Sequence, residues 1–180
     1  LLIAGCCFNK KEKQMGLFSF IKEAGEKLFG TGEAKAAEQV AKKEPTPVNV
    51  EAANKAAANA IAAYVAKMNL TADGLTIGFD GKSGTVIVQG MAATQEIKEK
   101  ILLCCGNVEG VEHVQDQLGV IEAEAAPQFY TVVRGDTLSK VSKEFYGNAN
   151  LYMRIFEANK PMLSHPDKIY PGQMLRIPPQ

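Results

Sequence analysis

The 180-residue chain is long enough for one large domain or two small ones, and its 46% hydrophobic content is that of an ordinary globular protein. Its 20 lysines and arginines balance its 20 aspartates and glutamates. Zero net charge argues against a nucleic-acid binder, which needs a basic face, and against attachment to anionic lipid by charge alone.

Residues 1–14, LLIAGCCFNKKEKQ, contain Ile3-Ala4-Gly5-Cys6, which resembles the lipobox of bacterial lipoproteins, where the cysteine is lipidated. The stretch lacks the charged start and full apolar core of a signal peptide. Met15, with GLFSFIKEAGEKLFG behind it, reads as a start of its own. Residues 1–14 are therefore expected to be upstream or non-native sequence. A periplasmic lipoprotein anchored through Cys6 is the alternative. No stretch reaches the length of a membrane-spanning helix.

Over 15–29, Leu17, Ile21, Ala24 and Leu28 fall at i, i+4, i+7 and i+11, one face of a helix, and Phe18, Phe20 and Phe29 widen it. The polar side mixes Lys22, Glu23, Glu26 and Lys27 rather than being basic. The spacing thus predicts a helix docked on the domain that follows rather than one lying on a membrane. Residues 30–50, small and charged and ending in Pro45-Thr46-Pro47, predict a linker with a frayed helical stretch before Pro45.

Residues 51–121 predict a first domain. Ala53, Ala57, Ile61, Tyr64 and Met68 repeat at helical spacing over 51–68, and Asp73-Gly74 marks a turn. Leu75, Ile77 and Phe79, then Val86 and Val88, alternate on either side of DGKSG (80–84), a β-hairpin pattern. Thr94 is placed to cap a second helix, with Glu96 in its first turn where the dipole favours an anion. Ile97, Ile101, Cys104 and Cys105 point that helix inward, and Gly106 ends it. The adjacent pair Cys104-Cys105, like Cys6-Cys7, suits neither a mutual disulfide nor a zinc site, and its apolar setting predicts buried thiols. A last strand covers roughly 112–120. The order helix, strand, strand, helix, strand predicts two helices on one face of a three-stranded sheet.

After a short linker, 122–128, residues 129–178 predict a second domain. Tyr130 and Val132 alternate in a strand, Gly135 turns the chain, and Asp136 is placed to cap a helix carrying Leu138, Val141 and Phe145. A second helix starts at 148–150, and Pro171-Gly172 turns into a strand over 173–177. The class is α+β, two small domains, the second ordered strand, helix, helix, strand.

The stretch YTVVRGDTLSKVSKEFYGNANLYMRIFEANKPMLSHPDKIYPGQMLRIP resembles the LysM family over its full length, with both the YTV-x-x-GDTLS opening and the IYPGQ-x-L-x-IP ending intact. The first domain resembles the BON family through its hairpin, Gly90, and Val108-Glu109-Gly110-Val111-Glu112-His113-Val114. An MGLF-x-F start, one BON domain and a C-terminal LysM together resemble a family of bacterial cytoplasmic potassium-binding proteins. The longer, alanine-rich linker 30–50 and residues 1–14 depart from it.

That resemblance implies a monomeric cytoplasmic sensor that binds potassium, and also rubidium and caesium, and compacts on doing so. It places the ion between two stretches, on the main-chain oxygens of Ile21, Ala24, Glu26, Gly106, Val108 and Val111. The chemistry is coherent. Carboxylates favour small or divalent ions, whereas a large monovalent ion is selected by neutral carbonyl dipoles. Such carbonyls must be spare, as they are at helix ends and tight loops like GNVEGV (106–111). The plainer reading makes GNVEGV a helix-to-strand turn and 15–29 a docking helix.

The second functional reading comes from LysM itself, whose members hold N-acetylglucosamine polymers in a shallow groove. The matching residues are Gly135, Asp136, Thr137 and Leu138, with Ile169 of the loop HPDKI (165–169) opposite. Such a protein would bind peptidoglycan, and a single copy would bind it weakly. Catalysis is not expected. His113 and His165 are the only histidines and have no nucleophile at a recognised offset, and DGKSG lacks the spacing of a phosphate loop.

Overall fold

The structure is a computed structural model that describes residues 17–20, 25–29, 32–122 and 127–179. These residues form two small sheets and two hydrophobic cores. No helix among them is long and apolar enough to cross a membrane.

The first core lies between two helices and a four-stranded sheet. Helix α2 (Pro47–Lys67) precedes strands β2 (Asp73–Asp80) and β3 (Thr85–Thr94), helix α3 (Gln95–Gly106) and strand β4 (His113–Glu122). Thr94 caps α3 by accepting the Ile97 N–H, as its position predicts. Because α3 crosses over the sheet, β3 and β4 run parallel, with Val86 opposite Val114. Those two valines, with Val88, Ile61 and Val65 from α2 and Ile101 from α3, are wholly buried. Cys104 and Cys105 lie in the same core, and burial pushes the Cys104 thiol up to about 12. Both are inert packing groups rather than nucleophiles.

Where it is described, the N-terminal segment is not the expected helix. Strand β1 (Leu17–Ser19) pairs antiparallel with β4 and adds a fourth strand, giving the order β1-β4-β3-β2. Phe20 continues the pairing by donating its N–H to the Glu112 carbonyl at 2.7 Å. Residues 25–29 are irregular, and the rest of 15–29 lies outside the described residues. The i, i+4 pattern is overridden because the β4 edge offers hydrogen-bond partners and Gly25 takes a φ of +135°, which no helix accommodates.

The linker expectation needs correction, although its helical stretch before Pro45 is present. Helix α1 (Gly32–Lys43) occupies most of it and packs on α2, with Ala34 buried and a Lys42–Glu38 pair one turn apart. Pro47 is not the linker's end but the first residue of α2. Thr46 is the N-cap, accepting from Asn49 N–H, and a proline at the first helical position sacrifices no bond. Asp73-Gly74 opens β2 through a register irregularity rather than forming a separate turn.

The second core is built on β5 (Gln128–Thr131) and β6 (Met174–Ile177), an antiparallel pair, with helices α4 (Leu138–Tyr146) and α5 (Tyr152–Ala158) joined through a 3-10 turn at Ala149–Leu151. Leu138, Val141, Ile155, Leu163, Leu175 and Ile177 fill it. The α4 cap is Thr137, not Asp136: the threonine hydroxyl accepts from Lys140 N–H. The Asp136 carboxylate instead accepts from Val133 N–H and the Tyr130 hydroxyl, which tie the turn to the strand.

Candidate functional site

Helix α3 stops at Gly106, and Asn107 caps it with a backbone at φ −82°, ψ 18°. The chain then turns through 108–110 into β4. Val108 and Val111 send their side chains into the first core and are 0% exposed. That anchoring on both sides fixes the main chain between them.

Across the loop lies the 25–29 segment. Glu26 and Val108 form a parallel β-bridge. Glu26 N–H donates to the Asn107 carbonyl at 2.7 Å, and Glu109 N–H donates to the Glu26 carbonyl at 2.9 Å. Three glycines permit this closeness. A Cβ on Gly25 would sit 2.2 Å from the Asn107 oxygen. One on Gly106 would sit 1.9 Å from the Phe20 ring, and one on Gly110 would meet Phe29 at 3.3 Å. Phe20, Leu28 and Phe29 pack against the first core, Phe29 with its ring centroid 5.2 Å from that of Phe79. The loop glycines therefore make room for aromatic rings as well as for converging backbone.

The predicted ligand carbonyls differ in what already occupies them. Among the described residues, no backbone N–H donates to the oxygens of Gly106 or Val111. The Val108 oxygen accepts one bond, from Val111 N–H at 3.1 Å. The Glu26 oxygen accepts two, from Leu28 at 3.1 Å and Glu109 at 2.9 Å, which fills both lone pairs. By the requirement that a ligating carbonyl be spare, Glu26 is better described as the residue that seats the segment. Ile21 and Ala24 lie outside the described residues. Among the described residues, no three His, Cys, Asp or Glu side chains gather as a metal-holding group. What the loop presents is neutral carbonyl dipoles, and these suit a large monovalent cation better than a divalent one.

Two further residues, which the sequence patterns do not single out, join the first core and its loop to the second core. The Asn107 side chain, 4% exposed, donates from Nδ2 to the Met174 carbonyl at 3.0 Å and accepts Met174 N–H at 2.9 Å. On α3, Glu99 is 2% exposed and meets Arg176 of β6, itself 5% exposed, at 2.5 Å; Gln95 bonds its other oxygen. Burial pushes the Tyr170 phenol up to about 12, with the Glu26 carboxylate adding to it. The same carboxylate raises Cys104 and Tyr64 after burial.

The glycan groove residues are arranged differently. Gly135 and Thr137 are exposed, Leu138 is buried in the core, and Ile169 packs partly against it. The Gly135 carbonyl accepts from Lys140 Nζ at 2.7 Å, and Asp136 is engaged as described. Of the two histidines, His113 opens β4, and His165 Nδ1 accepts from Asp167 N–H in an exposed loop.

The strand–helix–helix–strand core, docked on a second α+β core through a carbonyl-lined loop, defines a LysM-domain protein, and the family model described as LysM domain matches residues 130–178. Over 166 residues the chain is 47% identical to the potassium binding protein Kbp of Escherichia coli O6:H1, covering 91% of this chain and 99% of that protein. It belongs to that family. Shorter similarities reach an uncharacterised protein of Deinococcus radiodurans (49% over 49 residues, 27% of this chain and 19% of that one) and YqbP of Bacillus subtilis (35% over 65 residues, 31% and 30%).

Proposed function

We propose that this protein binds potassium, with rubidium and caesium as alternatives, on the main-chain carbonyls of the 106–111 loop, and that it acts as a cytoplasmic sensor. The observation that carries the reading is the loop itself. Gly106 and Val111 hold carbonyls that no described backbone donor uses, beside the partly used Val108, at the junction of the N-terminal segment and both cores. The name of the E. coli relative supports the choice of ion. Neutral dipoles select by radius and field strength rather than by charge density, so sodium is disfavoured.

Ion binding then tightens the contacts around the loop: the Glu26 bridge, the Phe20 and Phe29 packing, and the Asn107 link to β6. Because the ligands are backbone atoms and the side chains of Val108 and Val111 belong to the core, substitution there acts first on stability. An ion at a hundred times its dissociation constant stabilises the bound fold by about 2.7 kcal/mol. For a chain of this size that raises the melting temperature by roughly 5 to 10 °C. Thermal unfolding in potassium chloride and in sodium chloride at equal ionic strength tests this. A higher midpoint in potassium is expected, and equal midpoints would sink the proposal.

A further inference from the structure

We infer that the side-chain amide of Asn107 couples the LysM core to the ion loop, so that seating of β6 sets how tightly the loop holds its cation. This rests on the potassium reading above and adds to it a route between the two cores.

The geometry is that of a strand made from a side chain. An asparagine amide carries one acceptor oxygen and a donor nitrogen, as a peptide group does. Asn107 uses both on a single residue of β6, accepting from Met174 N–H and donating to Met174 O. Two residues along, Asn159 repeats the pairing on Arg176, with bonds of 2.8 Å in each direction. One edge of β6 is thus satisfied by two asparagines, and an unpaired strand edge is otherwise a liability. The two differ in origin. Asn159 follows α5 and also bonds Ile155, so it belongs wholly to the LysM core. Asn107 comes from the first core.

The backbone of Asn107 is held from the other side. Its N–H bonds the Leu103 carbonyl at 2.9 Å, and its own carbonyl accepts Glu26 N–H at 2.7 Å. It stands between Gly106 and Val108, two of the carbonyls proposed to ligate. Any rotation of the 106–108 peptides swings the amide off Met174, and any departure of β6 leaves that amide only the weak acceptor Met162 Sδ, 3.2 Å from Nδ2. Buried polar groups without partners are costly, so the two states are joined through one residue. Coupling of this kind is reciprocal: β6 raises ion affinity by the same factor by which the ion raises β6 docking. Asn107 is accordingly a positioning residue, acting through the main chain on either side of it.

The test is amide hydrogen exchange on the full chain in potassium and in sodium at equal ionic strength, with calorimetric titration of Asn107→Ala beside it. The Met174 amide is expected to exchange about tenfold more slowly in potassium, while the Arg176 amide, held by Asn159, changes little. Asn107→Ala is expected to bind potassium roughly tenfold more weakly than wild type, within the usual range of such couplings. A merely structural asparagine would give no ion dependence at Met174. Equal Met174 exchange in the two salts, in a wild-type protein that does bind potassium, overturns the coupling and leaves the ion reading standing. Unchanged affinity in a folded Asn107→Ala does the same. Absence of potassium heat from wild type removes the ion reading and the coupling with it. The exchange arm needs no variant, so it decides even where Asn107→Ala fails to fold.

Discussion

Gly25→Ala is expected to weaken potassium binding by roughly a hundredfold while leaving the two cores folded. The added carbon would lie 2.2 Å from the Asn107 oxygen, 2.8 Å from its carbonyl carbon and 2.9 Å from Glu109 nitrogen, all backbone atoms that no rotamer change can move. The φ of +135° adds strain of its own, of order 1–3 kcal/mol. Relief requires the 25–29 segment to lift away, which breaks the two hydrogen bonds joining Glu26 to the loop, each contributing about 1 kcal/mol. A total near 3 kcal/mol corresponds to about two decades in affinity. The wholly buried residues of the first core lie between Ile61 and Val114, so far-UV circular dichroism is expected to stay near wild type. Gly32→Ala is the matched control. It too has a left-handed φ, +62°, but nothing lies within 4 Å of the added carbon, so only backbone strain is felt and affinity is retained. Calorimetry on the pair reads the difference. Equal affinity in Gly25→Ala and wild type would separate the N-terminal segment from the site.

The second large effect concerns the ion pair between the cores. Arg176→Met is expected to destabilise the protein by about 3–5 kcal/mol, because it leaves the Glu99 carboxylate buried with Gln95 as its remaining hydrogen-bonding partner. Arg176→Met combined with Glu99→Leu is expected to recover most of that loss, since an apolar pair of similar volume removes the desolvation penalty on both sides. Urea unfolding of the two single variants and the double gives the coupling energy directly. The single variant is also expected to split unfolding into two steps, because the pair spans α3 and β6. A single variant as stable as wild type would show that the interface tolerates an unpaired charge and is therefore wet.

The legible and illegible parts of this molecule divide along a physical line. The LysM core is readable because its turns and buried positions recur at fixed offsets, from Tyr130 through Pro171-Gly172, and in the first core Thr94 marks a helix start by local chemistry. Helix α1 reads from sequence only as a frayed stretch before Pro45, because the side it buries is alanine; its firmness comes from packing on α2. The N-terminal segment reads as a helix because its apolar spacing satisfies one, while the partner that makes Leu17–Ser19 a strand, β4, lies 94 to 98 positions away. Glu99 and Arg176 are separated by 77 positions, and no local pattern pairs them. The proposed ligands are least legible of all. Main-chain oxygens have no side-chain signature, so only the resemblance pointed to them, and the hydrogen-bond pattern then distinguished Gly106 and Val111 from Glu26. Asn107 carries a weak local signal, a polar residue just past a helix end, but its partner on β6 does not.

The central claim is that neutral backbone carbonyls at 106–111 hold a large monovalent cation. Its most direct measurement is a calorimetric titration of the full chain with potassium, rubidium, caesium and sodium, each at the same ionic strength. Saturable heat is expected with potassium, rubidium and caesium, and markedly weaker or no binding with sodium. Sodium binding as tight as potassium, or no heat with any of the four, would contradict it and turn attention to the LysM groove and glycan ligands.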